Sequence, residues 1–232
     1  DGKNILPLAT SQDHKRLRDR DEGPNTGGMG AYSPAPVVTP AIHARIMREV
    51  IEPTVSGLAH DGLPYVGFLY AGLMIAGDGT PKVLEFNCRF GDPETQPIMM
   101  RLRSDLVDLV EAALDGKLDR VNAQWDPRAA VGVVMAAPGY PADYAKGQTI
   151  GALPPASEDA KVFVAGAVEQ HGIVKTNGGR VLCATALGAT VARAQARAYE
   201  LAHAVDWPQA FYRRDIGYRA IARERADDSA AC

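Results

Sequence analysis

Cysteine is scarce in this chain of 232 residues, which has three: Cys88, Cys183 and Cys232. An odd number at wide spacing excludes a disulfide framework and a CxxC zinc knuckle. A reducing, cytoplasmic setting is the expectation that follows. Basic excess is also missing, because 25 Lys and Arg face 28 Asp and Glu for a formal net charge of -3. Nucleic acid is therefore not favoured as a partner, although a local anion site stays compatible with that balance. No apolar run approaches the roughly 20 residues that span a bilayer, and the N-terminus lacks the charged-then-apolar pattern of a leader. What is left is an ordinary globular composition, 46% hydrophobic, with length for one large domain or two small ones.

The chain opens on Asp1 in a turn-like Asp-Gly-Lys-Asn, followed by Ile5 to Ala9 as a short strand. A strand so near the start needs a neighbour, so a preceding part is expected. Thr10 to Arg16 is a run of polar residues, read as a solvated or ligand-contacting loop. Four glycines between Gly23 and Gly30 permit close backbone approach to a ligand, and successive exposed N–H groups there could form an anion-binding nest or mere turns. Thr39-Pro40 begins a helix, with Thr39 as its N-cap and Ile42, Ile46, Met47, Val50 and Ile51 on its buried stripe. Tyr65 to Ala76 and Lys82 to Asn87 read as strands joined by Gly77-Asp78-Gly79 in an antiparallel hairpin. One helix is expected over Pro97 to Leu114, then a linker over Asn122 to Arg128. Strands follow at 129–137, 161–168, 173–176 and 180–187, with a helix at 190–205 and a frayed tail over 223–232.

The stretch from Lys82 to Gln96 concentrates the chemistry. With a strand's period of two, Glu85 and Asn87 share one face, while Leu84, Phe86 and, by parity, Cys88 enter the core. Arg89 adds a permanent cation with a planar fork of donors, and Asp92 and Glu94 follow on a Gly-Asp-Pro turn. Hard oxygen ligands beside an arginine suit a magnesium-bound polyphosphate. The same residues at a strand end also make an ordinary salt-bridged rim.

The run Arg89 to Gln96 (RFGDPETQ) resembles the motif of phosphoribosylamine–glycine ligases, ATP-grasp enzymes of purine synthesis. Ala9 to Arg16 (ATSQDHKR), Gly23 to Pro36 (GPNTGGMGAYSPAP), Gly67 to Met74 (GFLYAGLM) and Thr176 to Ala186 (TNGGRVLCATA) are similar to that family in its order and spacing. The resemblance implies an α+β fold: the C-terminal half of an ATP-grasp domain over residues 1–118, an antiparallel sheet with helices, then a small strand-rich α+β domain over 126–222. It implies ligation of glycine to 5-phosphoribosylamine through glycyl phosphate. ATP would be the co-substrate and Mg2+, or alternatively Mn2+, the metal. Phosphoryl transfer rests on positioning and charge neutralisation, and a reactive acyl phosphate requires exclusion of water.

Carried over onto this sequence, Glu85 and Asn87 match the metal ligands, and Arg89 and Asp92 the catalytic positions. Asp13, Lys15, Asn25, Thr26, Gly27, Gly28 and Glu94 match the substrate-binding positions. The family's N-terminal lobe, with its phosphate-covering loop and lysine, has no counterpart in the 232 residues, so the chain alone is expected to be inactive. That lobe is its expected partner, with no nucleic acid or membrane, in a monomer or homodimer. Two other readings stay open: an ATP-grasp ligase for another carboxylate and amine, or a non-catalytic binding or assembly module.

Overall fold

The computed structural model describes residues 1–230; Cys232 and the end of the expected tail lie outside them. In chain order, strands β1 (Gln12–Asp13), β2 (Arg16–Arg18), β3 (Glu22–Asn25) and β4 (Gly30–Ser33) come first. Helices α1 (Pro40–Ile46) and α2 (Glu52–His60) flank a π-helical turn, Met47–Ile51. Strands β5 (Tyr70–Ile75) and β6 (Pro81–Asn87) are followed by α3 (Thr95–Arg101) and α4 (Leu106–Leu114). Then come β7 (Ala129–Ala136), β8 (Thr149–Ile150), β9 (Ala160–Val164), β10 (Ala167–Gln170), β11 (Ile173–Thr176) and β12 (Arg180–Gly188). Helices α5 (Val191–Ala204) and α6 (Tyr218–Ala230) close the fold. Among the described residues no helix is long and apolar enough to cross a membrane.

The chain divides into two compact units that interleave in sequence. The first comprises residues 1–10, 35–91 and 102–126. Its long helical segment starts as the sequence predicts: Thr39 caps α1 by accepting from the Ile42 N–H, and Pro40 sits in the first turn. Its hairpin pairs β5 with β6 antiparallel, Tyr70 opposite Asn87 and Gly72 opposite Glu85. The helix expected over 97–114 is broken. Leu102 pairs across a β-bridge with Trp125, and Asp105 caps a new helix by accepting from the Val107 N–H at 2.8 Å. A side chain that competes for backbone donors favours a cap over a helix interior. Nor is 122–128 a free linker, since buried Asp126 is ion-paired with Arg103.

The second unit comprises residues 11–34, 92–101 and 127–232. Its centre is a five-stranded antiparallel sheet of order β1-β4-β7-β12-β9. Strand β7 is buried at every residue. Val131 and Val133 pack with Ala194 and Ala198 of α5, whereas Ala130 packs with Met100 of α3. By the strand period the two helices cover opposite faces. A β-carbon at Gly132 would lie 3.2 Å from Pro97 Cγ, so a glycine there lets α3 approach the sheet.

Three further expectations change. Ile5 to Ala9 forms no strand, while the polar run after it supplies β1 and the start of β2. The strand expected over 161–168 is two, β9 and β10, separated at 165–166. Residues 223–230, expected within a frayed tail, instead continue the helix that starts at Tyr218 and is anchored by buried Ala220 and Ile221.

Candidate active site

On the first unit, β6 carries Glu85 and Asn87. Glu85 is exposed and Asn87 half-buried. The facing strand makes room for the carboxylate side chain, because a β-carbon at Gly72 would sit 3.0 Å from Glu85 Cγ. Arg89 folds back along its own strand end, donating from Nη1 to the Phe90 carbonyl at 2.8 Å and from Nη2 to Asn87 Oδ1 at 3.3 Å. Phe90 stacks on Phe68 with centroids 3.9 Å apart, which steadies the chain just beyond the arginine. Leu84 and Phe86 do not enter a core: they are 65% and 40% exposed. Cys88 is an exposed free thiol, not a packed one. A two-stranded ribbon buries little on either face, so alternation along β6 overstates its burial. Among the described residues no group of three or more His, Cys, Asp or Glu is placed to hold a metal.

On the second unit, Asp13, Lys15, Gly27, Gly28, Asp92 and Glu94 come together. Strand β1 sets Asp13 opposite Ala31. The pairing continues as His14 N–H donates to Gly30 O and Met29 N–H to His14 O, each at 2.9 Å. The Asp13 side chain is 7% exposed, with Lys15 Nζ 2.9 Å from Oδ2. Burial, and then the charge of buried Glu94, push the Asp13 carboxyl up to about 7, against the pull of Lys15. Two buried carboxyl groups, Asp13 and Glu94, are thus set near one another, with the partly exposed Lys15 ammonium on Asp13.

The glycine-rich loop is not an anion nest. Each of four consecutive amides is already engaged: Thr26 N–H donates to Lys15 O at 2.7 Å, Gly27 N–H to Tyr140 Oη at 2.8 Å, Gly28 N–H to Thr26 Oγ1 at 3.0 Å and Met29 N–H to His14 O. Its carbonyls point instead to a cation. Arg180 Nη1 donates to Gly27 O at 2.9 Å, Gly28 O at 3.4 Å and Asp92 O at 3.0 Å, while Nη2 meets Asp92 Oδ2 at 2.9 Å. Asn25 is exposed at the end of β3, opposite Arg16. Sequence reasoning missed Arg180 and Tyr140. The signal for Arg180 was the Gly178-Gly179 pair before it, which marks a close approach at the start of a strand.

Behind Asp13, His14 is fully buried. Its ring lies between Tyr32 and Tyr218, and Nδ1 is 3.8 Å from Asp21 Oδ1. Burial, then Arg213 and Arg219, lower its pKa to about 4, opposed by Asp21 and Asp215.

Comparison with known proteins gives first the class, an ATP-grasp type. Residues 1–95 match the model of the phosphoribosylglycinamide synthetase ATP-grasp (A) domain, and residues 130–219 match the C domain of the same family. The biotin carboxylase domain of a thermophilic 2-oxoglutarate carboxylase, 12% identical with a TM-score of 0.61, shares the fold over 90% of this chain and 44% of its own. The chain belongs to the phosphoribosylglycinamide synthetase family, whose members are also named phosphoribosylamine–glycine ligases.

The Vibrio parahaemolyticus phosphoribosylamine–glycine ligase is 69% identical over 226 residues, covering 97% of this chain and 53% of the relative. That of Pseudomonas aeruginosa is 65% identical over 228 residues, covering 98% and 53%. The crystal structure of the Thermotoga maritima enzyme superposes with a TM-score of 0.81 at 42% identity, over 93% of this chain and 53% of that one. The chain thus spans about half the length of the relatives it matches.

Proposed function

We propose that the protein of full relative length ligates glycine to 5-phosphoribosylamine at the expense of ATP, through glycyl phosphate. The observation that carries this reading is the 69% identity over 97% of the chain to a phosphoribosylamine–glycine ligase. The matched stretch includes every residue of both side-chain groups described above. Activity is assigned to the full-length protein because the chain spans 53% of such relatives.

In this reading Glu85 and Asn87 hold Mg2+. Two oxygen donors fit that ion, which keeps waters and takes its remaining ligands from substrate phosphates, and Mn2+ suits the same oxygens. When bound, the metal neutralises charge on the transferring phosphoryl group. Arg89 swings from Asn87 to the transferring phosphoryl or acyl phosphate oxygens, where its fork binds two at once. Asp13 and Glu94 receive the ammonium or amine of a substrate, and Lys15 faces its anionic part. Asn25 to Gly28 wall the pocket, and Asp92 orients substrate. The consecutive stretches 1–118 and 126–222 are the evolutionary domains in this reading, and the cytoplasm its compartment, where exposed Cys88 stays reduced.

The test is turnover by the purified full-length protein. ATP should be consumed only with glycine and phosphoribosylamine both present, and Glu85→Ala should sharply lower the rate. ATP consumption driven by another carboxylate and amine would replace this reading with that of a different ATP-grasp ligase.

A further inference from the structure

We propose that Arg180 is a positioning residue that latches the glycine-rich loop over the Asp13 carboxyl. Its role in a substrate site rests on the ligase reading, but the latch itself is a property of the second unit.

The loop is fastened from two sides by residues far along the chain. Tyr140 Oη accepts the Gly27 N–H at 2.8 Å. The Arg180 guanidinium takes the Gly27 and Gly28 carbonyls and both main-chain and side-chain oxygens of Asp92. Asp92 balances the charge, and the Arg180 side chain is 20% exposed. Such a charge-assisted fork fixes geometry as well as energy.

The glycines record the same contact. Gly27 is absent from the backbone positions with positive φ, so its conformation suits any residue. A β-carbon there would nevertheless lie 2.7 Å from Arg180 Cζ and Nη2. The guanidinium lies flat against Gly27 and accounts for the glycine. At Gly28 a β-carbon would lie 2.8 and 2.9 Å from the two Asp13 carboxylate oxygens and would strike Pro93. Gly28 therefore sits directly on the carboxyl whose environment the loop controls. Gly179 is hemmed in likewise, its added β-carbon striking Tyr140.

A latch has a consequence that a merely structural contact lacks. With the loop closed, Asp13 is kept from water beside Glu94, with Lys15 as its ion-pair partner. Freed of Arg180, the loop lifts, water reaches the carboxyl, and its titration falls toward the ordinary carboxylate range.

The experiment is a carbon-detected NMR titration of Asp13 in the 232-residue chain, which requires no turnover. The variants are Arg180→Ala, Gly27→Ala and the pair together. The expected result is an Asp13 midpoint lowered by about a unit or more in each single variant. The double variant should show no further drop, since Gly27→Ala acts by displacing a guanidinium that is no longer there. An unchanged midpoint in a folded variant, or additive drops, would overturn the latch. If Arg180→Ala does not fold, Gly27→Ala decides alone. Absence of ligase turnover in the full-length protein would overturn the functional reading and leave this result standing.

Discussion

His14 Nε2 accepts the Gly217 N–H at 2.9 Å, in the buried interior of the second unit. A nitrogen that accepts is unprotonated, so the imidazole proton resides on Nδ1, toward Asp21. The neutral ring is thereby tied into the fold, in agreement with a pKa lowered to about 4. The unfolded histidine binds its proton near 6.5, so His14's contribution is fully present above that pH and is lost as pH falls toward 4. The whole swing is on the order of 3 kcal/mol. His14→Gln, whose Oε1 can accept in place of Nε2, should keep the fold and abolish this swing. Urea midpoints between pH 4 and 7 measure it, and an unaltered pH slope would place the titration elsewhere.

Asp13, the adjacent residue, has the opposite linkage. Its folded pKa is raised to about 7, so its contribution is present below about pH 4 and is lost as pH rises through 7. The two swings, each of a few kcal/mol, oppose one another over the same window. The parent chain should show a shallow pH dependence there. Asp13→Asn should expose the His14 limb, with stability rising steeply from pH 4 to 6.5, and His14→Gln the falling Asp13 limb. Parallel pH curves for the two variants would contradict the assignment.

Arg213 should dominate the attachment of the C-terminal segment. Its side chain is fully buried and donates to Asp21 Oδ1 at 3.0 Å, to the Arg16 carbonyl at 3.0 Å and to Asp215 at 2.8 and 2.9 Å. Arg20 and Asp21 take left-handed φ of 59° and 56°, a conformation that needs outside support. Asp215 supplies it by accepting the Arg20 N–H at 2.7 Å. Removing one partner of a buried ionic network costs about 3 kcal/mol or more. Arg213→Met should therefore lower the thermal midpoint by several degrees, with little dependence on salt. Arg45→Ala, which breaks only a solvent-exposed pair with Glu49, should leave the midpoint almost unmoved, because water and salt screen such pairs.

Local signals carried the helix from Thr39, the hairpin turn at 77–79, strands β11 and β12, and helix α5. Each is specified by residues within a few positions of one another. What escaped depends on partners remote in sequence. The polar Gln12–Asp13 is a strand because β4 offers it an edge, and helix α3 stops because Leu102 finds Trp125. The candidate site shows the same division. Asp13, Lys15, Asp92 and Glu94 were legible through resemblance to a family, but Arg180 meets Gly27 across 153 positions. The buried state expected for Leu84 failed because alternation specifies two faces without specifying that a layer covers either.

The metal assignment can be probed first by a variant that alters no oxygen donor. Gly72 lies opposite Glu85 in the hairpin, and a β-carbon at position 72 would meet Glu85 Cγ at 3.0 Å and Tyr70 Cε1 at 3.4 Å. The Glu85 side chain is exposed, so it can turn aside into solvent at small cost to stability, within roughly 0.5 kcal/mol. It then leaves the position from which it would share a cation with Asn87. Gly72→Ala in the full-length protein should raise the Mg2+ concentration for half-maximal rate several-fold while the melting temperature hardly moves. Glu85→Gln should raise it further, since an amide is the weaker ligand for a hard cation. If Mg2+ dependence were the same in both variants as in the parent, Glu85 would be a rim carboxylate and the metal would be held elsewhere.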